Sequence, residues 1–306
     1  MVFRQSLKEH LPASGVRAFR GLLEALYIAA EPLDFAARAL NNRADYPPIR
    51  LRQRSGSLRQ MEMVSAEFMV YLKLLGHVQR SDRVLDIGCG CGLMALQLAN
   101  YLDASGRYVG IDPARASINW CRRHISPKYP AFSFEHMDIV TPYSPSGRVA
   151  VEEYRFPFLA GSFDFVLLKS VLTHMRPQQV NGYLEEIRRV LAPRGSALIT
   201  LFLMNDEQRR LAAAGLNEFA FKYGDPPWYY GVPGEPENRC AFDEGYILDL
   251  LAQRGLALES PIVYGTWSGR ADGISCQDMV LIKRSDACGE MHESVSSRRP
   301  FAPEPS

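Results

Sequence analysis

Three carboxylates and a run of glycines stand at spacings that describe a small-molecule site. Asp86 comes just before the turn Gly88-Cys89-Gly90-Cys91-Gly92, Asp112 follows at the end of YVGID, and Asp138 ends FEHMD. Glycine adopts positive φ without a steric penalty and lets a ligand approach bare backbone. The order is G-x-G-x-G, and Leu93 stands where a dinucleotide turn needs its last glycine. A carboxylate at 86 would repel a pyrophosphate but suits a ligand ammonium group. Asp112 is placed to accept hydrogen bonds from both hydroxyls of a ribose. Asp138 can accept from the exocyclic amine of an adenine, and Met137 can cover a base face. These groups describe a ligand with an amino-acid end, a ribose and an adenine, and no phosphate.

S-adenosylmethionine has those parts. Its methyl group sits on a sulfonium and is already activated, so transfer needs alignment of a nucleophile and exclusion of water. A general base is required only where the nucleophile must lose a proton. His174 in SVLTHM is the candidate catalytic base, since an ordinary imidazole titrates near neutrality. On the acceptor side, Trp228, Tyr229 and Tyr230 could stack on a ring or sugar face, and Arg239 could hold an anionic group. Trp267, with Ser268, Gly269 and Arg270, reads as a second substrate wall or an ordered turn. Arg50, Arg52 and Arg54 in IRLRQR could face a ligand carboxylate, although a solvated basic face is the commoner meaning of such a run.

The elements that must position these groups follow from apolar periodicity. Val16 to Leu40 places apolar residues at helical spacing with a break around Pro32, and Leu58 to Leu75 reads as a second helix. Residues 1–76 therefore read as a helical N-terminal cap. From Arg83 strands and helices alternate. Strands are expected at Val84–Ile87, Tyr108–Ile111, Phe132–His136, Phe163–Leu168 and Ala197–Leu203. Helices are expected at Leu93–Leu102, Ala116–His124 and Gln178–Leu191. This order predicts an α/β fold with a doubly wound, mostly parallel sheet whose ligand crevice lies at the strand ends. Proline-rich insertions are read at 141–160 and 205–241. Asp243 reads as the N-cap of a helix to Arg254, and two strands, about Ala257–Tyr264 and Gln277–Lys283, close the core domain of 77–284. Residues 285–306 read as a disordered polar tail.

At these residues the chain resembles the class I, Rossmann-like methyltransferase family over roughly Arg83 to Arg284. VLDIGCGCG looks like its first motif, YVGID its second, MDI its third and FPFLAGSFDFVLLKSVLTHM its fourth, with Phe156, Phe163 and Asp164 in their usual places. RVLAPRGSALIT resembles the stretch before and within the fifth strand. The resemblance implies a seven-stranded sheet with the last strand antiparallel and S-adenosylmethionine as cofactor. It implies that Gly88, Gly90 and Asp112 touch the cofactor, Asp138 the adenine, and that Lys169 and Ser170 line the methionine end. Cys89, Gly92 and Pro113 complete the candidate cofactor-binding positions. The asparagine-proline-proline-aromatic tetrapeptide of many amide and base methyltransferases is missing; LKSV stands there.

The expected activity is therefore methyl transfer to a small-molecule acceptor, foremost a hydroxyl oxygen of a metabolite, sugar or lipid-linked glycan. Transfer to nitrogen or carbon, or a non-catalytic cofactor-binding module, are the alternatives left open. A nicotinamide dehydrogenase would want glycine at 93 and an apolar residue at 86. The chain of 306 residues is 47% hydrophobic with a formal net charge of +1, so its charge does not favour nucleic acid as a partner. No apolar run reaches the roughly 18 residues of a membrane span. The six cysteines show no metal-ligand spacing, so no metal is expected, and reduced cysteines fit a cytoplasmic protein.

Overall fold

The computed structural model describes residues 13–52, 58–142 and 144–285. Arg54 and the tail beyond 285 lie outside them. Within them, an apolar run flanked by turn residues becomes a buried strand wherever helices cover both faces. Seven such strands form one sheet: β1 (Arg83–Ile87), β2 (Arg107–Asp112), β3 (Phe132–His136), β4 (Phe163–Leu168), β5 (Leu191–Leu201), β10 (Leu256–Leu258) and β11 (Asp278–Arg284). The order across it is β10-β11-β5-β4-β1-β2-β3. β1, β2, β3, β4 and β5 run parallel, while β11 is antiparallel to both β5 and β10. The strand order reverses between β1 and β4, so loops leaving their carboxyl ends diverge and open a crevice.

The helices that cover the sheet are α3 (Leu58–Leu74), α4 (Leu93–Ala99), α5 (Arg115–His124), α6 (Pro177–Val190) and α8 (Glu244–Gln253). One core lies between the sheet and α6 and α8, built on Phe156, Tyr183, Ile187 and Leu250. The other lies between the sheet and α3, α4 and α5, built on Leu72, Leu98, Tyr108, Ile118 and Phe134. Arg83 ties the starts of β1 and β4 together. Its side chain makes a two-pronged pair with Asp164 at 2.8 Å for each prong, and its backbone N–H adds a third bond to the same carboxylate. Packing is tight under the first turn. A Cβ at Gly110 in β2 would lie 2.8 Å from Cys89 Sγ and 2.9 Å from the Phe134 ring.

The structure departs from the expected elements in four places. α1 runs unbroken over Ala13–Leu40 with Pro32 inside it, because Pro32 faces solvent, where water can serve the carbonyl that loses its partner. Leu22, Leu26, Leu33, Phe35 and Leu40 on α1 are exposed, so the apolar spacing that marks this helix does not mark a face buried by this chain. α1 is held to the short α2 (Ile49–Arg52) by ion pairs of Glu31 with Arg50 and of Asp34 with Arg52, and Asp34 also pairs with Arg38 within α1. The fifth strand begins at Leu191 rather than Ala197, with a register shift against β4. Finally, the stretch after Phe202 forms a second sheet of order β6-β9-β8-β7: β6 (Leu203–Met204), β7 (Tyr223–Asp225), β8 (Trp228–Tyr230) and β9 (Cys240–Asp243). Between β6 and β7 stands α7 (Asp206–Ala213). The strand expected over 257–264 shrinks to β10 and a single bridge from Val263 to Met279.

Candidate functional site

The turn after β1 is shaped by its own hydrogen bonds. Gly88 N–H and Cys89 N–H both donate to Ile111 O, at 2.8 and 3.1 Å, and Gly90 N–H donates to Asp112 Oδ2 at 2.9 Å. These donors are spent inside the protein, so the turn has no ring of free N–H groups for a pyrophosphate. Gly88 and Gly92 both sit at φ 78°, and a Cβ on Gly88 would meet Val171 Cγ2 at 2.5 Å. Glycine is required at 88 on both counts.

Asp112 closes the turn from the other side. Oδ1 accepts from Ala114 N–H at 2.7 Å while Oδ2 holds Gly90, so the carboxylate is clamped at the end of β2. Its side chain faces a cavity of 180 Å³ that Gly88, Pro113, Met137, Ser170 and His174 also line. Six of the positions singled out in the sequence thus converge on one space. His174 Nδ1 lies 3.0 Å from the carbonyl of Glu237. A carbonyl only accepts, so in the neutral ring Nδ1 carries the proton and Nε2 is the basic nitrogen.

The other expected positions lie elsewhere. Asp86 is buried behind the turn, where its Oδ2 accepts from the Tyr108 hydroxyl at 2.6 Å. The ammonium in its field is that of Lys169. Cys89 is buried beneath the turn, and Gly90 and Gly92 shape it without lining the cavity. Asp138 pairs with Arg148, while its neighbours Met137 and Ile139 reach the cavity wall. Lys169 lines a second, smaller cavity with Ser170.

The aromatic residues expected on the acceptor side are occupied in packing. The Trp228 indole donates to Met175 O at 3.1 Å, Tyr230 stacks on Tyr223, and the Arg239 guanidinium covers the Phe219 ring at 3.7 Å. Trp267 is 1% exposed and donates to the buried Asp278. Tyr229 and Arg209 share Asp243, and Arg270 lies over the Tyr264 ring. Arg50 and Arg52 serve α1. From the second insertion it is Glu237, paired with Arg176, that reaches the first cavity. Thr141 and Pro142 of the first insertion, and Gln179 and Tyr183 of α6, also line it. Sequence reasoning missed these. The prolines of 141–160 marked a loop, but nothing marked where that loop would fold.

Burial pushes the Asp86 carboxyl up to about 7, with Asp112 adding to the rise and the Tyr108 hydroxyl and Lys169 opposing it. A carboxyl harder to ionise in the fold than in the unfolded chain stabilises the fold fully below its unfolded pKa of about 4. That contribution, on the order of a few kcal/mol, is lost as pH rises through about 7. Asp86→Asn is therefore expected to flatten the fall of the thermal midpoint between about pH 4 and about pH 7. Circular dichroism melts across that range check it, and an unchanged slope would assign the titration to another group.

The chain is similar to known methyltransferases over part of its length. Residues 84–195 match the family model described as a methyltransferase domain, and residues 7–134 match that of protein-L-isoaspartate(D-aspartate) O-methyltransferase. An uncharacterized methyltransferase of Schizosaccharomyces pombe is 28% identical over 122 residues, 40% of this chain and 40% of that protein. An uncharacterized 37.1 kDa protein in a transposon of Streptomyces fradiae is 34% identical over 115 residues, 37% of this chain and 28% of its own length. The matches thus span less than half of these curated relatives. A solved S-adenosylmethionine-dependent methyltransferase from Aquifex aeolicus is 15% identical, with 78% of this chain and 98% of that one covered at a TM-score of 0.46. No group of three or more histidine, cysteine, aspartate or glutamate side chains is placed to hold a metal among the described residues. The domain match falls on the strands and turns that build the first cavity, so residues 84–195 are similar to a methyltransferase domain.

Proposed function

We propose that this chain transfers the methyl group of S-adenosylmethionine to a hydroxyl oxygen of a small molecule. The observation that supports it most is Asp112, clamped at the cavity mouth by two backbone N–H groups beside a turn whose own donors are already spent. A ribose diol suits that carboxylate, and Pro113, Met137, Ile139 and Val171 offer apolar faces to an adenine. Bound there, the cofactor supplies an activated methyl group. Ser170 stands where the methionine end would run, and His174 lines the same cavity.

The helices before residue 77 and the insertion 205–241 serve in this reading as the walls of the ligand crevice, through α3 on one side and Glu237 on the other. A hydroxylated metabolite, a sugar or a lipid-linked glycan fits a near-neutral chain better than nucleic acid does. No helix among the described residues is long and apolar enough to cross a membrane. The free cysteines 89, 91, 121, 240 and 276 favour a reducing compartment such as the cytoplasm.

Isothermal titration with S-adenosylhomocysteine tests the cofactor half of this reading, and binding at about the micromolar level is expected. Methyl transfer from labelled donor across a panel of hydroxylated acceptors tests the rest. Binding without turnover on any of them would leave a cofactor-binding module in place of an enzyme.

A further inference from the structure

A second cavity of 80 Å³ opens over the other half of the sheet. The first lies at the carboxyl ends of β1, β2 and β3. The second lies between α3 and the ends of β4 and β5, with the chain entering β11 along its edge. Ser170, just after β4, lines both, so ligands in the two would meet there.

The polar groups of this cavity are sorted by their hydrogen bonds. Thr200 Oγ1 accepts from Ser170 N–H at 2.8 Å and donates to Gln277 Oε1 at 2.5 Å, and Ser170 Oγ donates to the same Oε1 at 3.0 Å. With its oxygen taken twice, Gln277 has its NH2 group left to offer. Lys169 Nζ stands 5.4 Å from the centroid of the Phe68 ring, and among the described residues it has neither a hydrogen bond nor an ion pair. A half-buried lysine with no hydrogen bond or ion pair among the described residues is costly, and a ligand oxygen would lower that cost. Burial holds Lys169 below the ordinary lysine range, while Asp86, Glu67 and Cys276 oppose that shift. The Tyr71 hydroxyl is engaged by Glu67 and the carbonyl of Ile274. Two donors, the Lys169 ammonium and the Gln277 amide, are thus left facing one space beside an aromatic ring.

Resting on the reading that the first cavity holds S-adenosylmethionine, we propose that the second binds the acceptor, and that Lys169 and Gln277 hold its oxygen as an anion. The acceptor class follows from acidity. A phenol loses its proton near pH 10, within reach of what a neighbouring ammonium can shift, whereas an ordinary alcohol is far too weak an acid. The acceptor is therefore a phenol or an enol, with its unsaturated face against Phe68. On binding, its proton passes to water. The oxyanion takes the methyl group, a C–O bond forms as the donor's C–S bond breaks, and the electron pair stays on sulfur.

The test uses 4-nitrophenol, whose colour reports its ionisation, added to the full chain saturated with S-adenosylhomocysteine. Wild type is expected to bind it with its apparent pKa lowered by about one unit or more. Lys169→Met is expected to weaken that binding about tenfold or more and to abolish the shift, while S-adenosylhomocysteine binds within about twofold of wild type. Lys169→Arg keeps a cation and is expected to retain the shift; this separates charge from packing, with the thermal midpoint of each variant checking the fold. The proposal is overturned if wild type binds no 4-nitrophenol, if the methionine variant keeps the shift, or if that variant loses S-adenosylhomocysteine instead. Failure of wild type to bind S-adenosylhomocysteine would strike the underlying reading of the first cavity, and it is seen before any phenol is added.

Discussion

Asp112→Ala is expected to weaken binding of S-adenosylhomocysteine about 30- to 150-fold, on the order of 2–3 kcal/mol. Two losses combine. In the proposed site the ribose loses a charged acceptor, and the N–H groups of Gly90 and Ala114 lose the oxygens that fix the turn against β2. Asp112→Asn is expected to recover little. Each carboxylate oxygen accepts from a backbone N–H, and an amide would set its own NH2 against one of those donors. Isothermal titration measures both variants, and an affinity within about threefold of wild type would remove Asp112 from the ribose site.

Trp267→Ala is expected to cost about 3–5 kcal/mol of folding stability, the range for emptying a large buried aromatic site. The indole packs edge-on against Phe202 and Phe221, with centroids 5.4 and 5.3 Å away. It is also one of three donors to Asp278, beside Gly265 N–H and Leu203 N–H at 2.7 Å each. Asp278 is fully buried, and desolvation pushes its carboxyl up to about 6 against the pull of those donors. Removing the indole leaves this carboxylate short of a partner, and that loosens the junction between β11, the start of β6 and the loop at Gly265. Urea unfolding with an unchanged m-value checks it, and a loss below about 1 kcal/mol would mean that the surroundings collapse into the void.

Trp267 also shows why part of the site was not legible from residue order. A tryptophan in a glycine-bearing loop reads equally as a ligand wall or as an anchor, and only its neighbours decide. The strands carrying the motifs were legible because apolar runs and glycine turns are local signals: Phe132–His136 and Phe163–Leu168 fall where the pattern puts them. Part of the first cavity was legible for the same reason, since Gly88, Asp112 and Met137 each sit at the end of such a run. Glu67, Thr200 and Gln277 come from three distant segments with no common spacing, so only the folded sheet brings them together. Helical spacing identified α1, apart from the break expected at Pro32, and said nothing of what its apolar residues meet, because periodicity records a face and not a partner.

The crowding of Gly110 by Cys89 and Phe134 bears on how such a sequence can drift over generations. The hydrogen atom at 110 and the sulfur at 89 draw on one shared volume, so neither position mutates alone at low cost. A lineage enlarging residue 110 must first pass through a smaller residue at 89 or a displaced ring at 134. Substitutions at these sites are therefore expected to arrive in that order and to be kept as a set.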